Sequence, residues 1–89
     1  MDEEYQQYQQ RLREDAEQGR KAKIALEFMR DFILRERASV IYQLEINTEM
    51  TADEALSDKR WLELLRKFEN AAQSFIQLGE MAEKELQDN

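Results

Sequence analysis

The sequence contains no cysteine, no histidine and no proline, and only two of its 89 residues are glycine. Without cysteine the chain forms neither a disulfide framework nor a cysteine-bound zinc site. The lack of histidine excludes catalysis by a histidine base and haem ligation by histidine. Two glycines are too few for the phosphate-binding loops of nucleotide-binding folds. The polar chemistry that remains consists of carboxylates, basic side chains, amides and hydroxyls.

The chain is acidic, with a formal net charge of −7 and an isoelectric point near 4.6. A negative net charge opposes general attraction to nucleic acids and anionic lipids, so nucleic acid is not an expected partner. No stretch reaches the roughly 18 consecutive apolar residues of a membrane span. Three of the first four residues, Asp2, Glu3 and Glu4, are acidic, where a secretory signal would be basic and then apolar. We therefore expect a cytoplasmic protein that contacts no membrane.

Strong helix formers dominate the sequence, namely Ala, Leu, Glu, Gln, Lys and Arg. No run alternates apolar and polar residues in the way that a β-strand requires. We therefore predict an all-α fold in a single helical domain over residues 1–89. Its predicted segments are an N-terminal amphipathic arm (1–18), a core helix (20–46), a short helix (51–56) and a heptad helix (58–87).

The predicted arm has a narrow apolar stripe that includes Tyr5, Tyr8 and Leu12. Tyrosine suits an interface because its ring is apolar and its tip is polar. We therefore predict that these three residues form a contact strip, for a second subunit or for a foreign partner, with packing inside the chain as the alternative. Gly19 is interpreted as a joint between helices rather than as a close helix contact, since glycine inside a helix costs roughly 1 kcal/mol relative to Ala.

Apolar residues cover an unusually wide arc of the predicted core helix. On a helical wheel one group comprises Ile24, Phe28, Phe32, Tyr42 and Ile46. A second group comprises Leu26, Met29, Ile33, Val40 and Leu44. Together they span about 200°, twice the arc of an ordinary surface helix. One neighbouring helix does not cover that surface, so the core helix needs at least two neighbours.

Two helix starts are predicted after residue 50. Thr51 and Glu54 form a capping-box pattern, in which the hydroxyl accepts a backbone N–H and the carboxylate reaches back. Ser57 resembles a second N-cap, with Asp58 in the first turn of the helix that follows. The pattern therefore predicts a short helix over 51–56 and a kinked connection before the heptad helix.

The last segment carries a regular heptad with alternating spacings of four and three residues. Its members are Trp61, Leu65, Phe68, Ala72, Phe75, Gly79, Ala82 and Leu86. We assign the aromatic members to the core. Small residues at 72, 79 and 82 predict that another backbone crosses there. Because the link between the two long helices is short, the sequence predicts an antiparallel helical hairpin.

A hairpin leaves one apolar face of the core helix open. Either the arm folds back to complete a three-helix bundle, or two hairpins pair into a four-helix bundle. We favour the homodimer, because the stripe of the arm is narrow and an 89-residue monomer has a thin core. In that dimeric bundle Ile24, Phe28 and Phe32 are the predicted dimer interface.

The composition favours a non-enzymatic helical protein–protein interaction module. We predict no catalytic, cofactor-binding or metal-binding residues, and a partner that is another protein of unknown identity. Small acidic chains without cysteine are typical of bacterial or phage accessory factors, such as adaptors, inhibitors and assembly helpers, which is an argument by analogy.

Two other functions stay open. An acidic inhibitor that mimics DNA would display rows of carboxylates, for which the sequence offers residues 2–17 and 49–58. A magnesium-dependent hydrolase is the second, because Glu14-x-x-Glu17 followed by Glu27-x-x-x-Asp31 is similar to the helical carboxylate motif of nucleotide pyrophosphohydrolases, although one residue out of its spacing. Basic residues near 59–67 resemble the second helix of a helix-turn-helix in outline only.

Overall fold

The computed structural model describes residues 2–88, which form two long α-helices. Helix α1 spans Asp2–Ile46 and helix α2 spans Ala52–Asp88, with a short connection between them. They pack against each other as an antiparallel pair, and the Cα atoms occupy a rod of 66 × 21 × 14 Å. The prediction of an all-α helical hairpin is confirmed. Met1, which belonged to the predicted arm, lies outside the described residues.

Helix α1 runs without interruption through Gly19, so the predicted joint and the separate arm over 1–18 are wrong. Gly19 instead lies against Gly79 of α2, the other glycine of the chain. A Cβ atom built on Gly19 would stand 2.8 Å from the Cα of Gly79 and 2.9 Å from the carbonyl oxygen of Phe75. Both distances are shorter than van der Waals contact. The close approach of the two backbones therefore explains why both positions hold glycine.

Most buried positions between the helices hold small side chains. The buried apolar residues among those described are Leu12, Ala16, Ile33, Leu65, Ala72 and Ala82. Ile33 is the only large side chain of residues 2–88 that is fully buried, with 1 % of its surface exposed. Toward the open end of the hairpin, Leu12 and Ala16 pack with Ala82 and Leu86. The first turns of α1 are therefore held by α2 and do not form an independent arm.

The connection between the helices is closed by caps rather than by glycine or proline. The Thr51 hydroxyl accepts the backbone N–H of Glu54 at 3.1 Å, which confirms the hydroxyl half of the predicted capping box. Asn47 accepts the backbone N–H of Glu49 at 3.1 Å just after α1 ends. The predicted second cap at Ser57 is wrong, because α2 continues through it and no separate 51–56 helix exists. Strong helix formers surround Ser57, and their helix propensity outweighs the tendency of one serine to bond with nearby backbone groups and end the helix.

Only some positions of the α2 heptad are buried against α1. Leu65, Ala72, Gly79 and Ala82 are buried, whereas Phe68 and Phe75 are 41 % and 49 % exposed. The assignment of these two phenylalanines to the core is therefore wrong for the single hairpin. Because the backbones approach so closely, large rings at the edge of the contact are displaced to its side.

We predict that Gly79→Ala destabilises the hairpin, with a free energy of unfolding lower by about 1–3 kcal/mol. The added methyl would stand 2.7 Å from the Cα of Gly19 and 3.0 Å from the carbonyl oxygen of Asp15. This clash outweighs the roughly 1 kcal/mol that alanine gains in helix propensity. Urea denaturation followed by circular dichroism measures the change. Gln77→Ala, at an exposed position of the same helix, is the control and should change stability by less than about 0.5 kcal/mol. A Gly79→Ala protein at least as stable as wild type would contradict the close contact.

Removing the cap at Thr51 should also lower stability. Thr51→Ala leaves the N–H of Glu54 without its hydroxyl acceptor, so the free energy of unfolding should fall by about 1 kcal/mol. Thr51→Ser keeps the acceptor and should restore most of the loss in the same urea titration. Equal stability of the alanine and serine variants would show that the hydroxyl contributes nothing.

Candidate interaction surfaces

One side of the hairpin is polar and carries ion pairs between the helices. Arg20 donates to Glu83 at 2.5 Å, and Arg37 is paired with Glu69. Glu83 and Glu69 line two depressions of about 240 and 420 Å³ on this side. The first pair is largely exposed, so it contributes little stability, of the order of 0–1 kcal/mol. The pairs help to set the register of the helices.

The opposite side of the hairpin is apolar. There a shallow groove of about 300 Å³ runs between the helices, with Ala22, Ala25 and Ala71 along it and Phe68 and Phe75 at its edge. Heptad spacing places further apolar residues on the same side, since positions seven apart share a face. We name this surface the flank face and define it by Phe32, Leu64, Phe68, Ala71, Phe75 and Leu78. The five large residues of the flank face are 41–56 % exposed.

A second apolar surface, the outer stripe, lies on the side of α1 that points away from α2. We define it by Ile24, Phe28, Tyr42 and Ile46. Phe28 is 84 % exposed and Ile24 is 68 % exposed, the two highest values among the exposed large apolar residues described. The structure thus divides the predicted dimer interface: Ile24 and Phe28 belong to the outer stripe, whereas Phe32 lies at the flank face.

The predicted contact strip at the open end is also divided. Leu12 is 8 % exposed and packs against α2, so it is not available to a partner. For this residue the alternative prediction, packing inside the chain, is the correct one. Tyr5 is 56 % exposed and Tyr8 is 45 % exposed. The Tyr8 hydroxyl donates to a carboxylate oxygen of Glu85 at 3.3 Å. A role in partner binding stays a prediction for Tyr5 and Tyr8.

The phenol of Tyr8 has a perturbed acidity. Partial desolvation beside α2, the negative charge of Glu85 and the hydrogen bond to it raise the pKa of Tyr8 above its ordinary value of 10.0. All three causes favour the neutral phenol in the folded chain. The tyrosine is therefore an anchor of the open end rather than a reactive group at neutral pH.

Charge is distributed along the rod in three bands. The open end, residues 2–18 and 79–88, carries ten acidic and three basic side chains. The middle, residues 19–41 and 60–78, carries nine basic and five acidic ones. The loop end, residues 42–59, carries five acidic and one basic. The exposed phenylalanines of both apolar surfaces all lie in the basic middle.

These bands bear on the alternative functions. The two carboxylate groups that would mimic DNA lie at opposite ends of the rod with the basic middle between them, so they form no continuous row. Glu17, one of the proposed magnesium ligands, is paired with Lys21 at 3.4 Å. Within residues 2–88 no group of three or more acidic side chains is close enough to hold a metal ion. The outline of a helix-turn-helix is wrong, because α2 has no turn at Ser57.

Two features of the structure follow only in part, or not at all, from the sequence pattern. The indole N–H of Trp61 donates to Glu36 at 3.1 Å, a contact between helices that periodicity alone does not predict. The shared heptad position of Leu64, Ala71 and Leu78 predicts a wider apolar stripe on one flank of α2, but not its continuation onto α1 at Phe32. Neither helix in the described part of the chain is long and apolar enough to cross a membrane.

Replacing Tyr8 should alter how stability depends on pH. The raised pKa means that the bond to Glu85 stabilises the folded chain below about pH 10, and that this contribution is lost as the pH rises through the higher folded value. The difference in unfolding free energy between wild type and Tyr8→Phe should therefore be constant at pH 8–9 and shrink above pH 10. Urea titrations at each pH measure it. Tyr5→Phe, which leaves that hydrogen bond intact, should follow wild type. A constant Tyr8→Phe difference up to pH 11.5 would contradict this assignment.

No protein-family model matches the chain, and no curated protein or solved structure matches it either. A function therefore has to be derived from the chain's own surfaces. The two helices present one polar side with ion pairs and two apolar surfaces whose phenylalanines lie in the basic middle band.

Proposed function

We propose that this chain is a non-enzymatic helical interaction module that acts by binding another protein through the outer stripe of α1. The observation that carries the proposal is the exposure of Phe28 at 84 % and of Ile24 at 68 %, one turn apart on the same side of α1. Single exposed apolar residues are common on protein surfaces, but neighbouring large ones indicate an interaction site.

The chemistry around the stripe suits a helical or acidic partner. Phe28 lies in the basic middle band, and aromatic residues and arginine are enriched at protein interfaces. Burying one phenylalanine of this kind contributes about 1.5–3 kcal/mol of binding free energy. Adaptor, inhibitor and assembly helper are the roles that such a rigid exposed stripe supports.

The outer stripe is favoured over the open end as the main binding site. Within the predicted contact strip, Tyr8 is already hydrogen-bonded to Glu85 and Leu12 is buried. Among the described contacts, Tyr5 is the one member of the strip that is exposed and makes no side-chain hydrogen bond. We propose that Tyr5 contributes at the edge of the interface, whereas Tyr8, two heptads before Ala22, lies on the flank side. The acidic mimic and the magnesium hydrolase are not proposed, since the charge bands and the acidic side chains of the described residues offer neither a carboxylate row nor a ligand set.

Substituting the outer stripe should abolish partner binding without unfolding the hairpin. Phe28→Ser and Ile24→Ser remove exposed apolar surface, so circular dichroism should stay unchanged while affinity for the partner falls at least tenfold. The partner is first recovered from host lysate by cross-linking to wild type, then purified and titrated against each variant by calorimetry. Leu34→Ser is the matched control, because Leu34 is also exposed, at 53 %, but lies with the ion-paired side.

The titration separates the outcomes. Normal affinity of Leu34→Ser together with weak binding by Phe28→Ser supports the proposal. Equal affinity of wild type and Phe28→Ser for the purified partner would show that the outer stripe is not the binding site. Tyr5→Ala then tests the open end in the same way, with a smaller expected loss of about threefold because Tyr5 lies at the rim.

A further inference from the structure

The flank face remains uncovered in the single hairpin, and the hairpin exposes more surface than a compact chain of its mass. The chain exposes 7422 Å² of surface. A compact monomer of 10.7 kDa would expose about 5,500 Å². The excess is roughly 1,900 Å², whereas a standard interface buries about 800 Å² on each partner. This excess follows from the elongated shape of the rod, and it is larger than the area that one partner contributes to a standard dimer.

The charges around the flank face define which occupant fits. Lys21 lines the groove, and Lys67 lies one position before Phe68 in the same basic middle band. An occupant must therefore be apolar where it meets the phenylalanines and acidic around them. The open end of this same chain has that chemistry, since it carries ten acidic side chains and exposes Tyr8 and Met81.

Heptad positions place the open end on the correct side. Tyr8 is two heptads before Ala22, which lines the groove, and Glu85 is one heptad after Leu78 of the flank face. The flank side thus changes along the rod from acidic at the open end to apolar and basic in the middle. Two parallel copies would set like charge against like in every band. Two antiparallel copies set each open end against the middle of the other.

We propose that the flank face is the interface of an antiparallel homodimer in which each acidic open end lies against the basic, phenylalanine-rich middle of the second copy. The two-fold axis passes near the level of residues 19–24 on α1, close to the crossing of Gly19 and Gly79. This register places Glu85 of one copy opposite Lys67 of the other and completes a four-helix bundle over most of the rod.

Sedimentation of flank-face variants tests whether the face is an interface. Wild type should sediment as a dimer at micromolar concentration. Phe68→Ser and Phe75→Ser should each weaken the dimer about tenfold or more, since both rings become fully buried in it. Leu34→Ser, on the ion-paired side, should leave it unchanged. A wild-type monomer at 100 μM would overturn the proposal, and the flank face would then be free for an acidic helix of another protein.

Charge reversal tests the proposed register. Lys67→Glu should weaken the dimer about tenfold by facing Glu85 of the second copy, and adding Glu85→Lys should recover most of that loss. Failure of the double variant to recover would contradict the alignment of these two residues.

Spin labels on introduced cysteines test the orientation, because the chain has no cysteine of its own. A label at Ser57→Cys, near the loop end, should be about 50–65 Å from its copy in the antiparallel dimer, at 1.5 Å per residue. A label at Gln18→Cys, beside the axis, should lie within about 25 Å of its copy. A short distance at both positions would show a parallel dimer and overturn the proposal.

The dimer and the proposed function fail separately. Serine at position 28 tests the outer stripe by affinity for a foreign partner, whereas serine at positions 68 and 75 tests the flank face by mass. A protein that stays dimeric but loses its partner on Phe28→Ser supports both. A monomer that still binds its partner through Phe28 retains the function and refutes the dimer.

Discussion

The contact between Gly19 and Gly79 determines how the rest of the hairpin is arranged. Backbones this close leave room only for small side chains on either side of the crossing, and Ala16, Ala72 and Ala82 fill those positions. A tight interface of small residues gives good van der Waals contact but buries little apolar area. The large apolar residues of both helices therefore lie at the edges or on the outside, where a second surface has to cover them.

Much of the fold was predictable because helix periodicity is a strong signal over long segments. The heptad of α2 correctly predicted a long helix and a backbone crossing at its small residues. The predicted joint at Gly19 is wrong because helix propensity alone does not include tertiary packing. Glycine lowers the stability of a helix by roughly 1 kcal/mol relative to Ala, and the contact of Gly19 with Gly79 offsets this loss. Ser57 was misleading for a local reason, since a good capping residue is also tolerated inside a helix when strong helix formers surround it.

The candidate surfaces were predictable only in part. The wide apolar arc of α1 correctly indicated that one neighbour leaves large residues exposed, and Phe28 is the clearest instance. What the sequence did not show is the rotation of each helix about its axis. That rotation depends on the glycine contact, and it decides that Phe32 joins Phe68 and Phe75 at the flank face while Phe28 points away. A periodic pattern identifies which residues share a stripe, but not which stripe meets which neighbour.

Stability and association are linked in this hairpin by the same geometry. With Ile33 as the only large fully buried side chain of residues 2–88, the contact between α1 and α2 removes little apolar surface from water. Helices of this length gain most of their stability from packing of an apolar face. Anything that covers the flank face or the outer stripe binds the folded hairpin and not the unfolded chain, so it raises the free energy of unfolding by mass action. The exposed phenylalanines are then part of the folding energetics as well as of recognition, because the surface that attracts a partner is the one that the narrow glycine crossing leaves uncovered.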